Sequence, residues 1–162
     1  NEKDLFTFLY MTGARKSEAL NLKYTDIDGD RIHIRGTKTA TSDRVIIMPD
    51  ALRRIFSPIL ANSSEDAPYI FGGTNRLADS TIQSVFVSAI KTAGVKPIRI
   101  HDLRHSFASN AIASGCNIVA ISRYLGHANI NITLSVYAHL LEKTETDMIQ
   151  RINNLYQNSI KV

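Results

Sequence analysis

The 162-residue sequence predicts a mainly α domain with one small antiparallel β-sheet, an α+β arrangement. Three observations carry this. Apolar residues recur at helical spacing in most segments, and glycines stop the runs at positions 13, 94 and 126. Residues 31–36 (RIHIRG) and 44–49 (RVIIMP) are β-branched stretches on either side of a polar run, TKTATSD, the pattern of a hairpin with an exposed turn. The chain is long enough for one domain with its own core, and its 44% hydrophobic and 21% charged residues are ordinary for one.

Along the chain, residues 3–12 (KDLFTFLYMT) predict a short helix ended by Gly13, and 14–22 (ARKSEALNL) predict a second. After the hairpin, Asp50 caps a helix through Leu60, and 61–68 (ANSSEDAP) form a loop by composition. Residues 69–76 (YIFGGTNR) read as a short extended piece and a turn. Asp79 or Ser80 opens a helix through Val85, Phe86, Ile90 and Ala93, closed by Gly94. Pro97 precedes 101–107 (HDLRHSF), the start of a helix ending near Gly115, with Leu103, Phe107 and Ala111 on the inward face. Asn117 caps 118–125 (IVAISRYL), stopped by Gly126, and Asn131 or Thr133 opens the next helix through Tyr137. Within 142–162, Met148, Ile149, Ile152, Leu155 and Tyr156 form an apolar stripe, so this segment is amphipathic. There are no internal repeats. The sequence opens without methionine and almost at once in a helix, which leads us to expect a piece of a longer protein.

No apolar run approaches the ~20 residues of a membrane span, and no signal peptide opens the chain. The single cysteine, Cys116, excludes an internal disulfide and a cysteine-based zinc site; small core filler in a reducing, cytoplasmic setting is its expected role. The net charge is +4. Its distribution is uneven: six Lys/Arg face three Asp between Asp30 and Arg54, and four face one between Lys91 and His105. Such faces are either solvated or built for a polyanion.

The chemistry gathers around HDLRHSF. His101 and Arg104 stand three residues apart and share a helix face, close to a helix N-terminus that favours anions. A phosphodiester in its transition state spreads negative charge over equatorial oxygens, and two guanidiniums can surround it. Arg15, just after the Gly13 turn, is the candidate second cation, with Glu18 three residues on either to orient it or simply to start the helix well. Lys38, in the hairpin turn, is the candidate proton donor to a leaving oxygen, with Lys16 and Arg44 as rivals. His127 follows Gly126 in a tight turn, and Tyr137 lies ten residues on. Near two arginines the Tyr137 phenolate should be favoured, making it the candidate nucleophile. Tyr10, Tyr124 and Tyr156 are expected to be half-buried core residues.

This ordered series is Gly13 to Glu18 (G-x-R-x-x-E), a hairpin lysine, His101 to His105 (H-x-L-R-H), Leu125 to His127 (L-G-H) and a tyrosine ten residues later. It resembles the tyrosine recombinases, the phage-integrase family, over nearly the whole chain. The resemblance implies a helical catalytic domain with a three-stranded sheet. It implies that Arg15, Lys38, His101, Arg104 and His127 activate a DNA phosphodiester and that Tyr137 attacks it. The product would be a covalent 3′-phosphotyrosine with a free 5′-hydroxyl, without metal or cofactor. Double-stranded DNA is the implied partner, with a homo-tetramer on DNA and a monomer for the isolated domain. A mobile element or prophage is the implied source. Family members usually add an N-terminal DNA-clamping domain, which residues 1–162 do not contain, so weak DNA affinity is expected. The segment 142–162 would pack either on its own domain or on a neighbouring protomer. Two other readings fit parts of the pattern: a type IB topoisomerase, which rejoins the original strand, and a non-catalytic regulator using 117–138 as a helix–turn–helix.

Overall fold

The computed structural model describes residues 2–36, 43–64 and 66–159; Lys38 lies outside them. The elements run α1 (Glu2–Thr12), α2 (Lys16–Leu20), a 3-10 turn at Tyr24–Asp26, β1 (Ile27–Asp28), β2 (Arg31–Ile34) and β3 (Arg44–Ile47), and then α3 (Asp50–Leu60), α4 (Asp79–Ala93), α5 (Ile100–Ala113), α6 (Ile118–Leu125) and α7 (Ile130–Ser159). This is the predicted mainly α fold with an antiparallel sheet. The sheet has three strands in the order β1-β2-β3, and Ile32 pairs with Ile46. Alternation turns Ile32, Ile34 and Ile46 into the core and leaves Val45 and Ile47 on the outer face. The two-residue β1 was not expected from β-branched content. Its signal was the Asp28-Gly29-Asp30 turn, where Gly29 takes φ 58°.

Among the described residues, two apolar clusters hold the domain. The larger joins α1 to α4 and the sheet around Phe8, Phe56 and Phe71, whose ring centroids lie 5.5–5.7 Å apart. The smaller consists of Ala108, Ile112, Ile121, Leu125 and Tyr137, where α5, α6 and the start of α7 meet. Helix α5 sits between the two, and that position overturns one expectation. Its buried stripe is Ile100, Arg104, Ala108 and Ile112, one position round from Leu103, Phe107 and Ala111, which are only half-buried. The site arginine therefore lies in the packed stripe.

Other local expectations need correcting. Pro49 occupies the N-cap of α3 and Asp50 is its first helical residue, without a side-chain cap. Cys116 is exposed, just past the end of α5, and fills no core. Tyr10 and Tyr156 are 47% and 64% exposed; only Tyr124 is half-buried, stacked on Phe107 at 5.4 Å. Asn117 does cap α6, accepting from Val119 N and Ala120 N. The next cap is Asn129, whose Oδ1 accepts from Asn131 N, so neither Asn131 nor Thr133 opens α7. The two helices expected after Gly126 form one, 30 residues long, because no glycine or proline interrupts 130–159. Among the described residues, no helix is long and apolar enough to cross a membrane.

Candidate active site

The Gly13 turn aims the first cation. Gly13 takes φ 62°, and a Cβ there would lie 2.7 Å from both Leu125 Cδ2 and Phe107 Cδ1, so only glycine lets α1 end this close to α5 and α6. Arg15 then stands at the N-cap of α2. Its backbone N–H donates to Glu18 Oε2 at 2.7 Å and its Nη1 to Glu18 Oε1 at 2.7 Å, so both Glu18 oxygens accept from Arg15. Glu18 therefore orients Arg15, one of the two roles its spacing allowed.

Glu18 has a second cation that the sequence did not reveal. Arg44, from β3, donates Nη1 to Oε1 at 3.0 Å and Nη2 to Oε2 at 3.1 Å. Burial by itself would raise the Glu18 carboxyl, but the hydrogen bonds from Arg44 and from the Arg15 backbone hold it below its ordinary value. Arg44 is thus turned inward, not outward as a rival proton donor. Lys16, the other rival, pairs with Asp79 at 2.8 Å.

Arg104 is 4% exposed. Its Nη1 donates to Gly13 O and its Nη2 to Leu125 O, both at 2.6 Å, tying the α1–α2 turn to the end of α6. Burial, then the neighbouring Arg15 charge, lowers it to about 10, so it stays cationic at neutral pH. Arg15 Nη2 lies 3.4 Å from the next carbonyl, Gly126 O. The two arginines, 89 positions apart in sequence, thus reach consecutive carbonyls of one turn.

His127 follows in that turn. Its Nδ1 lies 2.7 Å from the Oγ1 of buried Thr133. Burial, then Arg104, Arg15 and Arg44, push its imidazole down to about 4. His101, on α5, is also lowered, first by burial and then by His105 and the arginines around it. Both rings are neutral at pH 7, and each can offer one N–H to an anion.

Tyr137 is 4% exposed, and its hydroxyl lies 2.9 Å from His105 Nδ1. Here the electrostatic expectation fails. Burial raises the phenol above its ordinary value, and the opposing influence of Arg104 is smaller. The apolar cluster around the ring outweighs the nearby charge, so the resting hydroxyl keeps its proton. His105 and Thr133 were missed as contacts. His105 had a signal, standing one turn after His101, with ring centroids 4.9 Å apart. The structure brings together Arg15, His101, Arg104, His127 and Tyr137 around the α5–α6–α7 junction. Among the described residues, no group of three His, Cys, Asp or Glu side chains could hold a metal ion.

Comparison with known proteins bears on the fold and the family. Residues 1–144 match the model of the phage integrase family. The tyrosine recombinase XerA of Pyrococcus furiosus is 33% identical over 154 residues, covering 91% of this chain and 53% of its own. The crystal structure of a XerA recombinase superposes with a TM-score of 0.72 at 29% identity, covering 93% of this chain and 60% of that one. The catalytic domain of bacteriophage HP1 integrase gives 0.62 at 27% identity, covering 85% and 73%. The chain spans about half the length of the curated relatives it matches.

Proposed function

The chain belongs to the phage integrase family of tyrosine recombinases, and on that premise we propose that it breaks and rejoins double-stranded DNA through a covalent 3′-phosphotyrosine on Tyr137. The observation that carries this reading is the meeting of Arg15 and Arg104 at consecutive carbonyls beside His127. A phosphodiester seated there would accept charge-assisted bonds from the exposed edge of Arg15, with the Arg104 charge held beside it by its two carbonyls. Preorganised cations of this kind stabilise the pentavalent charge without rearranging during the reaction. Neutral His101 and His127 each add an N–H donor.

Tyr137 Oη attacks phosphorus, the bond to the 5′ oxygen breaks, and Lys38 supplies the proton that oxygen needs. The phenolic proton leaves toward His105, whose Nδ1 already contacts the hydroxyl. One phosphoester replaces another, so the 5′-hydroxyl of a partner strand can run the step backwards. On this reading residues 1–162 form one catalytic domain of a mobile-element or prophage enzyme acting on DNA in the cytoplasm. It works as a homo-tetramer on DNA in which the distal part of α7 docks on a neighbouring protomer.

The test uses a pool of nicked duplexes of randomised sequence, resolved on a denaturing gel. Wild type should leave a protein-linked DNA band and Tyr137→Phe none. Equal non-covalent binding by both, without adduct, would favour the helix–turn–helix regulator instead. That reading is disfavoured because Thr133 and Tyr137, on its recognition helix, turn inward. Strand exchange between two labelled duplexes separates a recombinase from a type IB topoisomerase, which would only relax and reseal.

A further inference from the structure

The C-terminal end of α6 presents three consecutive carbonyls, and each is met by a different arginine. Arg44 Nε donates to Tyr124 O at 2.6 Å, Arg104 Nη2 to Leu125 O at 2.6 Å, and Arg15 Nη2 reaches Gly126 O at 3.4 Å. The last carbonyls of a helix lack intrahelical partners and form its negative end. They can therefore gather cations that would otherwise repel one another. The three arginines arrive from the start of α2, from β3 and from α5.

The three are not equivalent. The Arg15 side chain is 34% exposed, whereas that of Arg44 is 8% exposed, with Nε, Nη1 and Nη2 all bonded inward. Arg44 also lies hard against the turn. A Cβ on Gly126 would fall 2.9 Å from Arg44 Nη1 and 3.1 Å from its Cδ, and Gly126 takes φ +68°. By occupying both oxygens of Glu18, Arg44 fixes the plane of that carboxylate. Glu18 is then left with a single side-chain bond to Arg15, through Nη1, instead of the two-pronged pairing that carboxylates and guanidiniums favour. The outer edge of Arg15 stays available.

We propose that Arg44 is a positioning residue for the phosphodiester site: it holds Glu18 and the α6 end so that Arg15 presents its free edge beside Arg104 and His127. The proposal rests on the recombinase reading for the identity of the anion, but not for the clamp itself. Arg44 does not touch the phosphate; it decides where Arg15 does.

The experiment compares Arg44→Gln, Arg44→Lys and wild type by two readouts. The first is made without DNA, from the guanidine Nε–H resonance of Arg15 in nitrogen-15 spectra. In Arg44→Gln, Glu18 takes Arg15 with both oxygens, so this signal should shift and gain protection from solvent exchange. In Arg44→Lys, which keeps a cation in the core, the shift should be smaller. The second is the initial rate of adduct formation on the nicked-duplex pool. It should fall ~10²-fold in Arg44→Gln, the scale of a displaced catalytic group, with partial recovery in Arg44→Lys. A folded Arg44→Gln with an unmoved Arg15 signal and a wild-type rate would overturn the proposal. If Arg44→Gln does not fold, Arg44→Lys decides: one ammonium cannot bridge both Glu18 oxygens and Tyr124 O, so a wild-type signal and rate there would refute it. A displaced Arg15 signal in a system where even wild type forms no adduct would support the clamp and sink the recombinase reading.

Discussion

The two halves of the site are held in different ways. The arginine half is stitched to the rest of the fold. Glu18 binds two arginines, Arg104 bonds two buried carbonyls on different elements, and Arg44 ties β3 to α6. Among the described residues, the tyrosine half rests on the smaller cluster and on side-chain contacts from Tyr137 to His105 and from Thr133 to His127. Beyond it, α7 leaves Met148, Ile149, Leu155 and Tyr156 more than half exposed. Under the proposed function, the contrast would give a firmly held cradle for phosphate and a nucleophile that rests protonated.

The arginine half depends most on Arg104. Arg104→Ala should slow adduct formation ~10²–10³-fold. It should also cost about 3 kcal/mol of stability, because the carbonyls of Gly13 and Leu125 lose charged donors. Denaturant unfolding beside the gel assay checks both, and a stable but inactive protein would show that the stitching is not structural. Gly13→Ala forces a left-handed residue and a methyl into Leu125 and Phe107, costing about 2–4 kcal/mol. It should also slow the reaction while leaving the Tyr137–His105 contact in place.

A smaller effect should follow pH. His127 falls from an ordinary value of 6.5 to about 4 on folding, so between these values the unfolded chain binds more protons. Stability should therefore drop as pH falls from 6.5 toward 4, with further loss below 4.5 as the lowered carboxyl of Glu18 takes its proton. Histidine proton shifts should place the His127 midpoint near 4, and inorganic phosphate should move it upward if the anion sits between the arginines. The smallest effect should come from distal α7. Leu155→Ser and Tyr156→Ser, both exposed, should change the stability of the isolated chain by no more than about 0.5 kcal/mol. The same changes, or removal of 142–162, should weaken tetramer formation on DNA in gel-shift assays more than they weaken DNA contact. Normal tetramers would refute the docking of this segment on a neighbour.

Much of the frame was legible because it depends on neighbours in sequence. Gly94 and Gly126 stop their helices in the left-handed region, Asn117 caps α6, and the hairpin pairs the two β-branched runs. The series Arg15, His101, Arg104, His127 and Tyr137 was readable as a set only through its resemblance to a known family, because its members are far apart in sequence. The Arg44–Glu18 pair was not, since its members are 26 residues apart and an arginine beside a strand looks solvated. The inward turn of Arg104 was hidden because α5 packs on both sides, so its burial does not follow a simple stripe. The continuity of α7 was hidden because its apolar pattern is interrupted by the polar run 142–147 (EKTETD) while its backbone is not.

The amino-acid sequence was enough to say which charged and nucleophilic groups exist, where glycines turn the chain, and that Asn117 caps α6. These follow from backbone sterics and hydrogen bonds within a few residues. Only the tertiary structure decided which carbonyls the arginines share and that Glu18 serves two of them. It also decided that His127 rests neutral and Tyr137 protonated. Charge interaction and desolvation depend on distance through space and on access to water, and neither can be counted along the chain.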